Sequence, residues 1–437
     1  MKKKFNWLSL ILIVLVVISI VLSYSIWKGQ PNYESIDVKE VQKTTIDKTM
    51  TTSQVFRPIG IQANIDNAHY ATTEAKVVDS LVAKGRDFNF SEVVASGKKS
   101  DSEYDQIIHQ NGTVELVYPN NIPFAIFSQI FAIQGKDLDS ASFDRIVFDM
   151  NNTTTNLHPV YFANDDEQMI YQSTLQQQNM DDVIEAVNNA KSDNQLTKLN
   201  EVDSGSHKIY LSDNQPEINS ETYIIDSIDI GLFTKALFPD SESVKNEDNS
   251  YTDGSSKIVL DTENKVLDYI NPAQEITDTN SFTKQKEASM IQDSFNFINE
   301  HAGWTGDYYY TGFNQRTGMT TFSLFINNLQ VVSDTGMSRF DVTEGKEEVY
   351  KYTRPFFKLD YAIPRESGKV KLPSSQSVYD QLKADTEVDI NNVEKIVPGY
   401  DMHWTDDKDL NRVVELDPVW LYQYKGAWYQ ADVKEGE

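Results

Sequence analysis

The stretch GSSKIVLDTENKVLDYINP, residues 254–272, has a companion in GMSRFDVTEGKEEVYKYTRP, residues 336–355. Both begin Gly-x-Ser-basic. Both pass through Thr-Glu-x-Lys, at 262–265 and 343–346, and both close on Val-x-x-Tyr-x-x-Pro, at 266–272 and 349–355. Apolar alternation on either side of a polar Thr-Glu-Asn/Gly-Lys turn predicts a β-hairpin in each. The segments downstream of the two hairpins also correspond. After the first comes a helix over about 282–300, with Ile291, Phe295 and Ile298 on one face, and then the strands GDYYYTGFN and TTFSLFI. After the second comes a shorter helix near 378–382, then VPGYDMHW, RVVELDP and VWLYQYKGAWYQ. Two successive α+β units related by an internal repeat are the simplest account.

Upstream, the same periodicities continue. TTEAKVVDSLVAKG carries Ala75, Val78, Leu81 and Val82 at helical spacing, and DDVIEAVNNA carries Val183, Ile184 and Val187. SQVFRPIGIQA, GTVELVYP and FDRIVFDM are strand-like. IPFAIFSQIF suits a short buried helix, and PVYFANDDEQMIYQST a hairpin turning at 164–166. ETYIIDSIDIGLFTKALFPD predicts a strand and a short helix ending before Pro239. The expected fold class is α+β with mostly antiparallel sheets, divided as an N-terminal domain over 45–175, a middle domain over 176–275 and a C-terminal domain over 276–437.

The chain begins differently. Between Lys4 and Lys28 there is no charged residue. A helix over 7–27, at about 1.5 Å per residue, matches the roughly 30 Å hydrocarbon layer. Trp7, Tyr24 and Trp27 stand at its ends, where amphipathic rings favour the headgroups. Lys2, Lys3 and Lys4 precede it and Lys28 alone closely follows. The expectation is a cytoplasmic tail over 1–6, a single transmembrane helix over 7–27 surrounded by membrane lipid, a stalk over 28–44 and an extracellular bulk. Ser23-Tyr24-Ser25 resembles a cleavage site, but the apolar run exceeds the about 7–15 residues of a signal peptide core, which favours a retained anchor. Leu12, Leu15, Ser19, Leu22, Ser23 and Ile26 fall along one helical face. Ser19 and Ser23 make a small-xxx-small pair that lets another helix approach closely.

The formal net charge of −27 sets the bulk against anionic lipid and nucleic acid, and cysteine is absent. No pair of the six histidines (His69, His109, His158, His207, His301, His403) has metal-site spacing. No phosphate loop, Gly-x-Ser-x-Gly elbow or dinucleotide fingerprint occurs. NSYTDGSSKIVL, from Asn249, resembles a calcium loop but puts Tyr251 and Leu260 where ligands belong, so a hairpin entry is the better reading. Acidic pairs such as Asp165-Asp166, Asp181-Asp182 and Asp406-Asp407 are expected on solvated turns. A membrane-anchored cell-wall hydrolase is the weaker reading, with a ligand-binding module or passive adhesin as a third. No catalytic, cofactor or metal residue is assigned. Trp404, Trp420, Tyr422, Tyr424 and Trp428 concentrate near the C-terminus. They suit either a sheet core, which is favoured, or a protein-contact face.

The order of a Lys-rich start, one apolar helix ending in Trp27, then Gln30-Pro31-Asn32-Tyr33, an acidic body and a closing LDPVWLYQYKGAWY resembles the YycH family over the whole chain. The resemblance implies a non-enzymatic, membrane-anchored accessory protein of the YycF/YycG (WalR/WalK) two-component system of low-GC Gram-positive bacteria. It implies action with a sister protein, YycI, on the sensor histidine kinase that governs cell-wall metabolism. It carries over no catalytic residues and no cofactor.

Overall fold

The structure, a computed structural model, describes Val16, Ser19 and residues 44–432 apart from 46, 86, 132, 152–155, 204–207, 278–281, 364–367 and 408–409. Residues from Gln42 onward form one compact unit. Of the predicted transmembrane face, Ser19 is helical and exposed. Leu12, Leu15, Leu22, Ser23 and Ile26 lie outside the described residues. Among the described residues no helix is long and apolar enough to cross a membrane.

Two large sheets dominate, and apart from one parallel pair inside the second they are antiparallel throughout. The N-terminal sheet has nine strands, in the order Lys208–Leu211, Thr197–Asp203, Ala68–Thr72, Gly60–Ile65, Thr113–Pro123, Ser142–Asp149, Leu157–Asn164, Met169–Gln176 and Val94–Lys98. Alternation along the sequence decides its two faces. Val147 and its neighbours Ala163 and Ile170 meet Tyr104 and Ile108 of the Asp101–Ile108 helix. Phe148, Val160 and Phe162 point into the main core, with the apolar faces of the Ala75–Gly85 and Gln177–Ser192 helices. The short Phe124–Phe127 helix drives Phe124 and Phe127 against Phe143 and Phe162, with ring centroids 4.9–5.7 Å apart and mostly edge-to-face. Strand pairing continues to Leu211, so this sheet draws in residues beyond 175.

The C-terminal sheet has fourteen strands and includes both segments of the sequence repeat. Each is a hairpin: Lys257–Asp261 with Val266–Ile270, and Arg339–Glu344 with Val349–Pro355. They lie side by side. Val266–Ile270 pairs with Val349–Pro355, and the register is symmetric about the equivalent residues Tyr269 and Tyr352, with Val266 opposite Pro355 and Ile270 opposite Lys351.

The first hairpin turns where the sequence predicts, with the Asp261 carboxylate accepting from the backbone N–H groups of Glu263 and Asn264. The second turns later. Thr343 and Glu344 stay in the strand, across a bulge. Gln274 then holds the turn, its backbone oxygen accepting from Lys346 N at 3.0 Å and its side chain from Glu347 N at 3.0 Å. Gly345 is needed there, because a Cβ would meet the Gln274 Cβ at 2.6 Å.

The Lys284–Glu300 helix is capped by Thr283, whose hydroxyl accepts from Lys286 N. Its stripe of Ile291, Phe295 and Ile298 is buried as the periodicity requires. Phe295 packs on Phe56 and on Trp304, which stacks on Phe340. Arg354 is fully buried beneath this cluster, its guanidinium 4.3 Å from the Phe340 centroid and donating to Gly303 O and the Tyr352 hydroxyl.

Candidate functional site

Three places bear on function: the entry of the chain into the body, the joint between the sheets, and the C-terminal ribbon.

The chain enters through the wrong half. Thr44–Thr45 runs parallel to His301–Ala302, and Trp304 N donates to Lys48 O at 2.9 Å. Asn299 of the Lys284–Glu300 helix clamps this entry. Its Oδ1 accepts from Met50 N at 2.9 Å and from Trp304 Nε1 at 2.8 Å, and its Nδ2 donates to Met50 O at 3.0 Å. Beside it opens a cleft of about 340 Å³ lined by Tyr223, Tyr308, Phe325 and Phe357 and rimmed by the Lys48–Asp307 ion pair.

The joint is polar and closed. Lys395 Nζ, on the strand Val393–Trp404, sits 2.9 Å from Asp144 Oδ2 of the N-terminal sheet. Asp144 Oδ1 accepts from Asp165 N, and the Asp165 carboxylate is held by Arg145 and by the Tyr104 hydroxyl. Arg145 reaches on to the fully buried Glu115 at 2.8 Å, whose other oxygen accepts from Asn64. Burial pushes the Asp144 carboxyl up to about 6. Burial also acts on Asp165, but Arg145 and Lys395 overcome it and hold that carboxyl down. Two carboxylates with separated acidities are what a glycosidase uses, yet the gap beside them is about 20 Å³. That space admits a water molecule and no sugar. Further stitches are Asn328 Nδ2 to Ile59 O and to Thr73 O, Asn120 Nδ2 to Thr311 O, and the cluster of Ile59, Tyr309 and Phe325.

The ribbon pairs Val393–Trp404 with Val413–Tyr424, and Ala427–Gln430 adds an edge. Trp420, Tyr422 and Tyr424 share one face, as alternation requires. Trp420 is buried with Leu372, Val378 and Leu382, and its Nε1 donates to Pro373 O. Tyr422 and Tyr424 are half-buried and group with Tyr429, which is exposed and stacks on Tyr422 at 5.7 Å. Trp404 is half-buried against Phe357. Trp428 is half-buried across from Gln423, on the opposite face of the ribbon.

The histidines scatter, with one exception. His69 and His109 meet across Tyr210, their rings 6.5 Å apart. His158 is buried and bonded to Gln177 Oε1, His301 stacks on Phe297, His403 pairs with Asp417, and His207 lies outside the described residues. In the calcium-like segment the Asp253 carboxylate accepts from Ser255 N and Ser256 N and so closes a turn. Sequence reasoning missed the Asn299 clamp and the Lys395–Asp144 joint. Their only signal is an amide on a helix and a lysine on a strand, and neither carries a pattern.

A family profile described as "YycH protein, N-terminal domain" matches residues 6–192, and one described as "YycH protein, C-terminal domain" matches residues 206–435. A curated relative, "Two-component system WalR/WalK regulatory protein YycH" of Bacillus subtilis (strain 168), is 24% identical over 454 residues, covering 97% of this chain and 95% of that one. The crystal structure of YycH from Bacillus subtilis superposes with a TM-score of 0.74 at 18% identity, covering 89% of this chain and 99% of that chain, and so shares the fold. With both profiles matched in order along the same two-sheet body, this chain belongs to the YycH family.

Proposed function

We propose that this chain is a non-enzymatic regulator of a membrane sensor histidine kinase of the WalK type, acting on cell-wall metabolism together with a YycI-like accessory protein. Residues 7–27 span the membrane once, with the N-terminus in the cytoplasm and the body outside. The carrying observation is the alignment, over 97% of the chain, with a relative named as a regulatory protein of the WalR/WalK system.

The physical mechanism is a population shift. A kinase helix bundle has two packings, and a third helix that fits one better moves the equilibrium by its differential affinity, about 1.4 kcal/mol for a tenfold change. The face of Leu12, Leu15, Ser19, Leu22, Ser23 and Ile26 supplies that fit, with the two serines allowing close approach. The body serves as a lever. Its sheets are joined through Lys395 and Asp144, and its entry segment is clamped by Asn299, so a load on the C-terminal sheet reaches the tether. The aromatic group of Tyr422, Tyr424 and Tyr429 is the proposed surface for the accessory partner, with Trp428 on the reverse face of the ribbon. The symmetric register of the two hairpins supports reading 254–272 and 336–355 as copies of one unit.

The test is co-purification of the full-length protein from membranes, with its own helix or with an unrelated apolar helix over 7–27. The kinase is expected to be retained only with the native helix. Equal retention with the foreign helix, or mature protein released to the medium, overturns the proposal.

A further inference from the structure

On the ribbon face opposite Trp420, strand register builds a compact set of ligating groups. His403 lies directly opposite Glu415, and Asp401 directly opposite Asp417, so all four side chains leave the same face. The ligating atoms of His403, Glu415 and Asp417 all lie within 4.8 Å of one another. We propose that His403, Glu415 and Asp417 bind a divalent transition-metal cation of the zinc class through one imidazole nitrogen and two carboxylates.

The imidazole is oriented for this. His403 Nδ1 lies 3.0 Å from the Trp404 carbonyl oxygen, and since a carbonyl only accepts, Nδ1 carries the proton and donates. That leaves Nε2 directed at the cluster, 3.1 Å from Asp417 Oδ2. In this structure Nε2 meets the Asp417 carboxylate as a donor; a cation seated between them would take the place of that proton, with Nδ1 still tied to the backbone carbonyl as the usual outer-shell support of a metal-binding histidine. Glu415 is steadied in turn by the Thr405 hydroxyl, which donates to its Oε1 at 2.8 Å.

An independent observation lies one strand further. Thr222 is opposite Glu415 and so on the same face. The residue is 6% exposed and its hydroxyl has no hydrogen-bond partner. A buried hydroxyl left unpaired is costly, and a water carried by the ion would satisfy it. The site is also reachable, since His403 and Asp417 are 40% and 45% exposed at the side chain. One imidazole with two carboxylates favours zinc or manganese over the all-oxygen ions calcium and magnesium.

The test uses the full-length chain in detergent, stripped with EDTA and titrated separately with ZnCl₂ and CaCl₂, read by calorimetry and by metal analysis after dialysis. One zinc per chain is expected, with calcium at least about tenfold weaker. His403→Gln and Asp417→Asn should each weaken zinc binding by about tenfold or more, while His301→Gln leaves it unchanged. X-ray absorption of the zinc-loaded wild-type chain, which needs no variant to fold, should show imidazole scattering. The proposal is overturned if the wild-type chain retains no zinc, if the absorption spectrum contains no histidine contribution, or if both variants, with unchanged circular dichroism, bind zinc like the wild type.

Discussion

Lys395 leaves the C-terminal sheet and sets its Nζ 2.9 Å from Oδ2 of Asp144 in the N-terminal sheet, with both side chains almost wholly out of water. A buried pair of this kind is weak evidence for stability but is expensive to break from one side. Lys395→Met should therefore cost about 3–5 kcal/mol in urea unfolding, because the buried Asp144 Oδ2 loses its cation and must take up a proton or stand unpaired. Adding Asp144→Leu to that variant should recover most of the loss. Equal stability of the single and double variants would show that the pair does not hold the joint.

Glu394 sits beside the same joint. Burial, and then the charge of Asp166, push its carboxyl up to about 7 from an ordinary 4.5. Between those values the folded protein holds a proton that the unfolded chain has released, so stability falls as pH rises from 4.5 to 7 and stays lower above. Glu394→Gln removes the titration. The variant should match the wild type near pH 4.5 and exceed it at pH 8 by on the order of 2 kcal/mol. Thermal unfolding at the two pH values checks this. A difference that does not change with pH rules out the raised carboxyl.

Asn299 satisfies three groups at once: Met50 N, Met50 O and Trp304 Nε1. Asn299→Ala leaves all three without that partner, at about 1–3 kcal/mol for each that water cannot reach. Proteolysis within 44–50 should accelerate while the N-terminal sheet stays protected. Uniform loss of protection would instead mean that Asn299 supports the whole body.

The aromatic residues of the ribbon should divide by burial. Trp420→Ala empties a core position and should cost about 3–5 kcal/mol. Tyr429→Ala, at the exposed edge, should change stability by about 0.5 kcal/mol or less. If the edge contacts the accessory partner, Tyr429→Ala weakens co-purification with that partner without lowering the melting temperature. Unchanged co-purification removes this edge from the interface.

If residues 7–27 pack beside the kinase helices as proposed, Ser19→Ile with Ser23→Ile removes the small-residue pair that would let another helix approach closely. Kinase output, read from a target promoter at matched protein level, should change several-fold. Unchanged output would place the contact on another helical face.

Much of the secondary structure was legible because it depends on local periodicity. The 3.6-residue stripe of Ile291, Phe295 and Ile298 marks a helix whatever it packs on, and the first hairpin turns at Thr262 to Lys265 through bonds made by its own Asp261. The second hairpin has nearly the same local sequence and turns two residues later, because Gln274, distant along the chain, supplies the bonds. The His403 cluster was half written in the chain. Asp401 with His403, and Glu415 with Asp417, each have the two-residue spacing of one strand face, but nothing local says that the two faces are one.

Sequence alone determined the apolar opening segment, the acidic cysteine-free body, the α+β element order and the resemblance to the YycH family, since composition, short-range pattern and motif order carry all of these. Only the tertiary structure decided which strands pair, that the entry segment docks on the C-terminal half, that Arg354 and Lys395 go inside, and that His69 meets His109. The reason is physical. A polar side chain is buried only where distant chain supplies its partners, and long-range pairing is selected by the fit of whole faces, which no local window contains.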